Sequence, residues 1–371
     1  MKTETTVNDF SRLEKNLSGL KEDTNLFQFI KYINNLIENP DELFLTDYAP
    51  IIAKERTGEY TKPFLSVITR TQGKRPEMLR ETILSLVAQT DSDFELILIG
   101  HKLNEDQRAL VTQILSEQTE DFLKKVRFLE LDHGNRTTPL NFGFSHAHGE
   151  YIAILDDDDI VFDNWVESFH TAAKETPGRV LHAYAIGQNW EVVNTDSGIF
   201  ALRACGSPSE LYCQDFEMIR ELESNVCPPV GLAFPSFTFH EWGIIFDETL
   251  DTAEDWDFLM RTAFITGVTN ITEPTCIYRL WTNAENSQTL HSQELWKKNH
   301  ASIQEKFKAV PVILPENEKK VHVIHIVVQA PAVPQALRPQ IKDRLRTKVP
   351  RPFWWFFKKI YRMFGGKKWL G

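Results

Sequence analysis

Four consecutive aspartates, Asp156 to Asp159, are the residues whose type and spacing most directly suggest chemistry. They follow the apolar run at residues 151–155, whose β-branched and bulky side chains predict a short buried strand. Adjacent carboxylates repel one another, and burying them without partners is costly. A divalent cation such as Mg²⁺ or Mn²⁺ would resolve both problems, since such ions take oxygen ligands and often share them with substrate phosphates. The alternative is an acidic surface turn without a ligand.

A basic loop follows the first predicted strand, at residues 64–68. Its side chains Arg70, Lys74 and Arg75 could meet the charge of a diphosphate, or they could simply be solvated. The loop contains neither a Gly-x-Gly-x-x-Gly motif nor a Gly-Lys-Ser/Thr phosphate loop. The absence of both motifs argues against a dinucleotide-dependent dehydrogenase and against a nucleoside triphosphatase.

A second acidic group, Glu254-Asp255-Trp256-Asp257, stands where helical spacing resumes. Acids in a first helical turn can simply complement the helix dipole, and for Glu254 or Asp257 alone this interpretation is favoured. The presence of several acids together favours a function for Asp255. A helix N-terminus favours the ionised form, so the Asp255 carboxylate is expected to accept a proton at neutral pH.

Composition describes an ordinary globular chain. Its 371 residues, 42% hydrophobic and 25% charged, suffice for two or three domains, or for one large domain with appendages. Four widely spaced cysteines without a Cys-x-x-Cys pair favour a reducing compartment and argue against a thiolate metal site. The polar N-terminus predicts no secretory signal, and no apolar run approaches the ~20 residues that a membrane span needs.

The net charge of −11 is unevenly distributed. Ten Lys/Arg and one acid follow residue 341, which leaves 31 basic against 51 acidic residues elsewhere. That balance is too acidic for a general nucleic-acid-binding protein. The aromatic and basic segment 351–371 predicts an amphipathic helix on an anionic membrane surface. Docking of this helix on the acidic body of the same protein is the alternative.

The predicted elements explain how these groups could meet. Residues 1–60 are expected to form a helical appendage, with a helical pattern at 26–37. Strands and helices then alternate, which predicts a parallel sheet covered on both faces, with ligands at the carboxyl ends of its strands. Residues 187–235 are expected to be inserts over the site, outside the sheet. The strands are predicted at residues 64–68, 94–99, 126–131, 151–155, 180–186, 275–281 and 321–328.

Residues 62–290 resemble a GT-A fold, family 2 glycosyltransferase of the bacterial polysaccharide or glycolipid type. The resemblance rests on several motifs in the expected order, and each motif alone is modest evidence. They are the opening strand Leu65-Ser66-Val67-Ile68-Thr69-Arg70, the helix 79–90, Leu140-Asn141-Phe142-Gly143, the segment 147–159 with the aspartates, and Phe246-Asp247-Glu248 followed by residues 254–257.

This resemblance implies an α/β fold with a mostly parallel sheet flanked by helices, and it implies roles for individual residues. Asp156 and Asp158 would supply the Asp-x-Asp pair, and Asp255 would be the general base of an inverting transfer. His291 is a further candidate metal ligand, and the implied ion is Mn²⁺ or Mg²⁺. Residues implied to bind the nucleotide-sugar donor are Thr69, Arg70, Arg75, Arg136, Asn141, Asp156 and Asp157.

Two departures from the family pattern leave details open. Gly100-His101 stands where an acidic motif commonly reads the nucleotide base, so the base is not specified. Leu140 replaces a common arginine, for which Arg136 could substitute.

The predicted organisation has three parts. They are a helical appendage at 1–60, a glycosyltransferase domain at 61–308 with a nucleotide-sugar half at 61–160 and an acceptor half at 161–308, and an extension at 309–371. The predicted enzyme faces the cytoplasm at the inner side of the membrane and transfers sugar to a glycan or lipid-linked acceptor. A metal-dependent phosphohydrolase and a non-catalytic scaffold of a polysaccharide assembly complex are the alternatives.

Overall fold

Strands and helices alternate in the computed structural model, which describes residues 63–194, 200–241, 243–284 and 290–307. These residues all belong to one compact unit of the chain. The predictions for residues 1–60, 321–328 and 351–371 lie outside the described residues. No helix in the described part is long and apolar enough to cross a membrane.

The first half of the described chain follows the predicted βα order. Pro76, whose fixed φ suits the first helical position, begins α1 as expected. The elements are β1 (Leu65–Thr71), α1 (Pro76–Val87), β2 (Phe94–His101), α2 (Glu105–Ser116), α3 (Glu120–Leu123), β3 (Val126–Leu131), α4 (Thr138–His146), β4 (Tyr151–Ile154), β5 (Ile160–Val161) and α5 (Trp165–Glu175).

The second half contributes more strand than the sequence pattern indicates. Its elements are β6 (Val180–Asn194), β7 (Phe200–Ser209), α6 (Met218–Glu223), a 3₁₀ turn at Pro229–Gly231, β8 (Leu232–Pro235), α7 (Ser236–His240), α8 (Glu254–Thr266), β9 (Val268–Trp281) and α9 (Gln293–Phe307).

The strands form one mixed sheet in the order β3-β2-β1-β4-β8-β6-β9-β5, and β7 pairs with β6. Pairing is parallel from β3 to β4 and between β6 and β9. It is antiparallel at β8, β5 and β7. The α/β class is therefore confirmed, and its parallel part carries β1, β2 and β4 with their carboxyl ends at one edge.

Both faces of the sheet are covered, as the unbroken apolar runs of β1 and β2 predict. Leu65 and Val67 of β1 face a core that includes α1, α2 and α5. Ile68, on the opposite face, packs with residues of α4 and α8 such as Phe144 and Phe258. Because side chains alternate along a strand, each strand of this region presents apolar groups to both helical layers.

The expectation that residues 187–235 are inserts outside the sheet is wrong. β6 continues to Asn194 and forms a hairpin with β7, while β8 lies between β4 and β6. The turn predicted at Cys227-Pro228-Pro229 is confirmed by the 3₁₀ turn at Pro229–Gly231. The turn predicted at residues 206–208 is wrong, because Gly206-Ser207-Pro208 lies within β7. The strands around them are stabilised by cross-strand pairing, which local sequence patterns do not reveal.

Gly149 fixes the approach of β4 to β1. A Cβ at this position would lie 2.5 Å from the Ser66 backbone nitrogen and 2.7 Å from the Tyr151 carbonyl oxygen. These contacts are with backbone, which cannot rotate away as a flexible side chain can. The glycine therefore allows the close packing that places the aspartates beside the end of β1.

We expect Gly149→Ala to lower the free energy of unfolding by roughly 1–3 kcal/mol, because overpacking forces the backbone to shift. Gly206→Ala is the matched control, since Gly206 has a φ of +83° but a Cβ at this position would meet no atom within 4 Å. Its cost is expected to be only the left-handed strain of about 1 kcal/mol. Urea unfolding of both variants measures the difference, and equal losses would contradict the packing argument.

Candidate active site

The carboxyl ends of β1, β2 and β4 open into a cavity of about 860 Å³. Its wall on this side includes the loop after β1, the four aspartates and the segment at Asn135 and Arg136. The opposite wall comes from the ends of β6, β7 and β9. The predicted edge of the sheet therefore brings several charged side chains together around one cavity.

The four aspartates have different environments. Asp157 accepts a 2.6 Å hydrogen bond from the Thr71 hydroxyl, and Asp159 accepts a 2.9 Å bond from the Arg279 backbone nitrogen. Both are buried. Asp156 and Asp158 keep 23% and 16% of their side chains exposed, against 5% for Asp157. All four residues line the cavity, and the first and third carboxylates are the more exposed pair.

Two arginines from the β1 end neutralise this turn. Arg70 donates from Nε to Asp156 Oδ1 at 2.9 Å and from Nη1 to the Arg136 carbonyl at 2.6 Å. Arg75 pairs with both Asp157 and Asp158. The predicted donor-binding residues Arg70, Arg75 and Arg136 are thus brought together with the aspartates at one wall of the cavity.

The neutralisation is uneven, and the pKa values of the aspartates differ. Burial, followed by the charge of Asp158, raises the pKa of the buried Asp159 well above its usual range. Burial alone would raise the pKa of Asp156, but Arg70 holds it below its usual range. Burial, together with the charges of Asp157 and Asp156, raises the pKa of Asp158 to about 6 despite Arg75. A cation beside Asp158 would offset this excess of negative charge.

Asp255 lies in the first turn of α8 and is half-buried. No side chain of the described residues donates a hydrogen bond to its carboxylate. Burial, followed by the neighbouring charge of Glu254, raises its pKa to about 6. Burial and this like charge therefore act against the helix N-terminus, but a carboxyl group with a pKa of about 6 is still mostly ionised at neutral pH.

Asp255 does not line the cavity itself, whereas Tyr278 does. Burial and the charges of Asp159, Asp158 and Asp255 raise the pKa of Tyr278, and such charge effects act without contact. Asp255 is next in the chain to Glu254, which pairs with Arg70 and Arg136 of the cavity wall. The base candidate is therefore adjacent to a residue that contacts the wall.

The remaining predicted residues have mixed positions. His291 lines the cavity with Asp156 and Asp158. Thr69 is buried on the apolar face of β1 and is not part of the cavity wall. Asn141 is also outside the wall, where its amide bonds the Phe246 backbone and Glu248. The structure thus brings His291 into the site and gives Asn141 contacts that join α4 to the segment before α8.

Sequence reasoning missed two residues of this network, Thr71 and Glu254. Thr71 follows a strand at the same edge as the aspartates, and this shared location was the available signal. Glu254, interpreted as a helix-dipole acid, is instead buried and paired with Arg70 and Arg136. Such pairing joins residues 184 positions apart in the chain, which spacing cannot reveal.

The side chains of the described residues do not by themselves supply a complete set of ligands for a metal ion. Within the described residues, no three His, Cys, Asp or Glu side chains form a group that could hold a metal ion. The exposed carboxylates of Asp156 and Asp158 nevertheless provide the hard oxygen ligands that Mg²⁺ and Mn²⁺ prefer. The donor set fits such an ion if further oxygens come from another molecule, such as a diphosphate.

Comparison with known proteins defines the class to which this site belongs. Residues 66–225 match the family model of glycosyl transferase family 2. This segment, which includes the acidic turn, is therefore similar to family 2 glycosyltransferases, as its motifs predict.

Individual relatives agree with this class. An uncharacterized glycosyltransferase of Methanocaldococcus jannaschii is 33% identical over 112 residues, which are 30% of this chain and 37% of that protein. Another from Haemophilus influenzae is 24% identical over 242 residues, covering 62% of this chain and 70% of that protein. The structure of S. aureus TarS 1–349 in complex with UDP is similar at 17% identity and a TM-score of 0.49, over 69% of this chain and 68% of that chain. The chain thus spans little more than a third of the M. jannaschii relative.

We expect Thr71→Val to lower the free energy of unfolding by roughly 1–3 kcal/mol, because it leaves the buried Asp157 carboxylate without its hydroxyl donor. Thr90→Val is the control, since the Thr90 hydroxyl bonds Glu167 at the surface. Its effect should stay within about 0.5 kcal/mol. Chemical unfolding of the two isosteric variants tests the difference, and a neutral Thr71→Val would show that Asp157 does not depend on this bond.

Proposed function

We propose that this protein is a metal-dependent, inverting glycosyltransferase that uses a nucleoside diphosphate sugar as donor and a hydroxyl group as acceptor. The observation that carries the proposal is the division of the acidic turn. Two of its carboxylates are buried and hydrogen-bonded, while Asp156 and Asp158 are more exposed to the cavity. The wall of this cavity also holds Arg70, Arg75 and Arg136. Cations and carboxylates in one wall suit a ligand that brings both a diphosphate and a metal ion.

Asp156 and Asp158 would hold Mn²⁺ or Mg²⁺, with His291 as a further candidate ligand in the same cavity. When bound, the ion would offset the negative charge that develops on the departing diphosphate. Arg75 at present neutralises Asp158 and lines the cavity. It is therefore placed to interact with either the carboxylate or a phosphate group, and Arg70 and Arg136 would add positive charge from the same wall.

Asp255 would act as the general base. Its carboxylate takes the proton of the acceptor hydroxyl while that oxygen forms a bond to the anomeric carbon of the sugar. The bond from this carbon to the diphosphate oxygen breaks, and its electron pair leaves with the nucleoside diphosphate. Attack opposite to the leaving group inverts the anomeric configuration, and no covalent enzyme intermediate is needed.

The acceptor is proposed to be a glycan or a lipid-linked saccharide in the synthesis of a cell-surface polysaccharide. Support for this part comes from the sequence alone. The basic and aromatic segment 351–371 would bind anionic lipid and bring the enzyme to the inner face of the membrane.

A transfer assay with UDP-, GDP- and dTDP-sugars and Mn²⁺ tests the proposal. We expect turnover with one donor, and we expect Asp255→Asn to reduce it by roughly 100- to 10,000-fold, the usual contribution of a general base. Nucleotide binding should persist in this variant, because Asp255 lies outside the cavity wall. Asp247→Asn is the control, since Asp247 pairs with Lys306 away from the cavity.

Other results of the same assay would favour the alternatives. Release of free phosphate from a sugar phosphate would indicate a hydrolase. Nucleotide-sugar binding without turnover of any donor would indicate a non-catalytic scaffold. Full activity of Asp255→Asn would remove Asp255 from the role of base.

The pH dependence of kcat/KM provides a separate prediction. A base works in its ionised form, and the pKa of Asp255 is raised to about 6. We therefore expect kcat/KM to fall as the pH is lowered through about 6 and to level off above it. A profile measured between pH 5 and 8 with Mn²⁺ in excess tests this, and a flat profile over that range would contradict it. Circular dichroism at each pH controls for unfolding.

A further inference from the structure

Glu254 is a buried carboxylate that belongs to neither the cavity wall nor the reacting groups. Its side chain is 1% exposed. Oε1 accepts a hydrogen bond from Arg70 Nη1 at 3.1 Å and forms an ion pair with Arg136 Nε, also at 3.1 Å. Oε2 has no partner among the described residues. A buried charge persists only when partners compensate it, so the two guanidinium groups explain why this acid is tolerated here.

Both partners of Glu254 reach the cavity, although Glu254 does not. Arg70 and Arg136 line the same wall, and Arg70 also bonds Asp156 and the Arg136 carbonyl. Two like-charged guanidinium groups at close range repel each other unless a negative charge lies between them. Glu254, which is buried and does not line the cavity, supplies that negative charge.

The backbone before Glu254 is held in an uncommon conformation. Ala253, the residue that precedes α8, has a φ of +60° and is 2% exposed. Left-handed backbone at a residue other than glycine costs about 1–2 kcal/mol and persists only where the surroundings impose it. Trp256 anchors the same turn by donating from its indole to the Glu221 carbonyl at 2.8 Å. The first turn of α8 is thus fixed on both sides of Glu254 and Asp255.

We propose that Glu254 is a positioning residue for the proposed transfer reaction, holding Arg70 and Arg136 at the donor side of the cavity while its charge acts on the adjacent base. The proposal rests on the proposed function, because it requires that the cavity binds a nucleoside diphosphate. In this proposal Glu254 links the acidic turn to the adjacent Asp255, since its partner Arg70 also contacts Asp156.

The charge of Glu254 should be visible in the titration of Asp255. Several charged or titratable groups influence Asp255 or are influenced by it. They are Glu254, Arg136, Arg70, Glu221, Tyr212 and Tyr278. Of these, Glu254 adds to the effect of burial in raising the pKa of Asp255, whereas Arg136 and Arg70 lower it. Removal of the Glu254 charge should therefore lower the pKa of the base.

Two substitutions at Glu254 separate the effect of its charge on Asp255 from its effect on the positions of Arg70 and Arg136. Glu254→Gln keeps the shape and an acceptor oxygen but removes the charge, so the acid limb of kcat/KM should move down by roughly one pH unit. Glu254→Asp keeps the charge but withdraws the carboxylate by one methylene from Arg70 and Arg136. Its acid limb should stay near that of the wild type, while the Kd for UDP or GDP with Mn²⁺, measured by calorimetry, should rise about tenfold.

Glu95→Gln is the matched control, because Glu95 is a buried acid that pairs with Arg127 and lies opposite Ser66 in the same sheet. It should lose stability without a change in the acid limb or in nucleotide affinity. An unchanged acid limb in Glu254→Gln, or wild-type nucleotide affinity in Glu254→Asp, would overturn the proposal.

The binding measurement also distinguishes this proposal from the proposed function. If the wild type binds nucleotide but transfers no sugar, the proposed function fails while the comparison of Kd values still decides the role of Glu254. If the wild type binds neither UDP nor GDP, Arg70 and Arg136 are not donor-binding groups and the Glu254 proposal fails as well.

Discussion

Compensation of four adjacent carboxylates is the interaction on which the rest of this site depends. The fold gives each of Asp156 to Asp159 at least one partner. Arg70 pairs with Asp156, and Arg75 is shared by Asp157 and Asp158. Asp157 also accepts from the Thr71 hydroxyl, and Asp159 accepts from a backbone amide. Without these partners, the turn would carry uncompensated charge at the edge of a buried sheet. With them, the turn is organised before any ligand arrives, and Asp158 is the more exposed of the two aspartates whose pKa is raised.

The sheet provides this compensation through the register of β1 beside β4. Ile68 pairs with Ile154, so the residues after both strands emerge side by side. Arg70 and Thr71 are thereby placed against Asp156 and Asp157. The same Arg70 reaches Glu254 in α8, which also carries Asp255. One strand end therefore connects the acidic turn with the helix that carries Asp255, the proposed base.

The sequence predicted the parts of this arrangement that rest on short-range patterns. Apolar runs and cap residues located β1, β2, β4 and α1, and the aspartates after β4 indicated the site. Pairing between distant segments was not predictable in the same way. The β6–β7 hairpin has weak strand patterns that cross-strand contacts stabilise. Glu254 has the spacing of a surface helix acid, and only the tertiary fold brings it to Arg70 and Arg136.

The central claim is that the exposed carboxylates of the acidic turn hold a divalent cation together with the diphosphate of a nucleotide. The most direct measurement is anomalous diffraction at the manganese edge from crystals grown with Mn²⁺ and UDP or GDP. The account predicts a manganese peak at the Asp158 carboxylate and at the diphosphate, with Arg75 no longer paired to Asp158. Bound nucleotide without manganese at the acidic turn, or a peak elsewhere in the cavity, would contradict it.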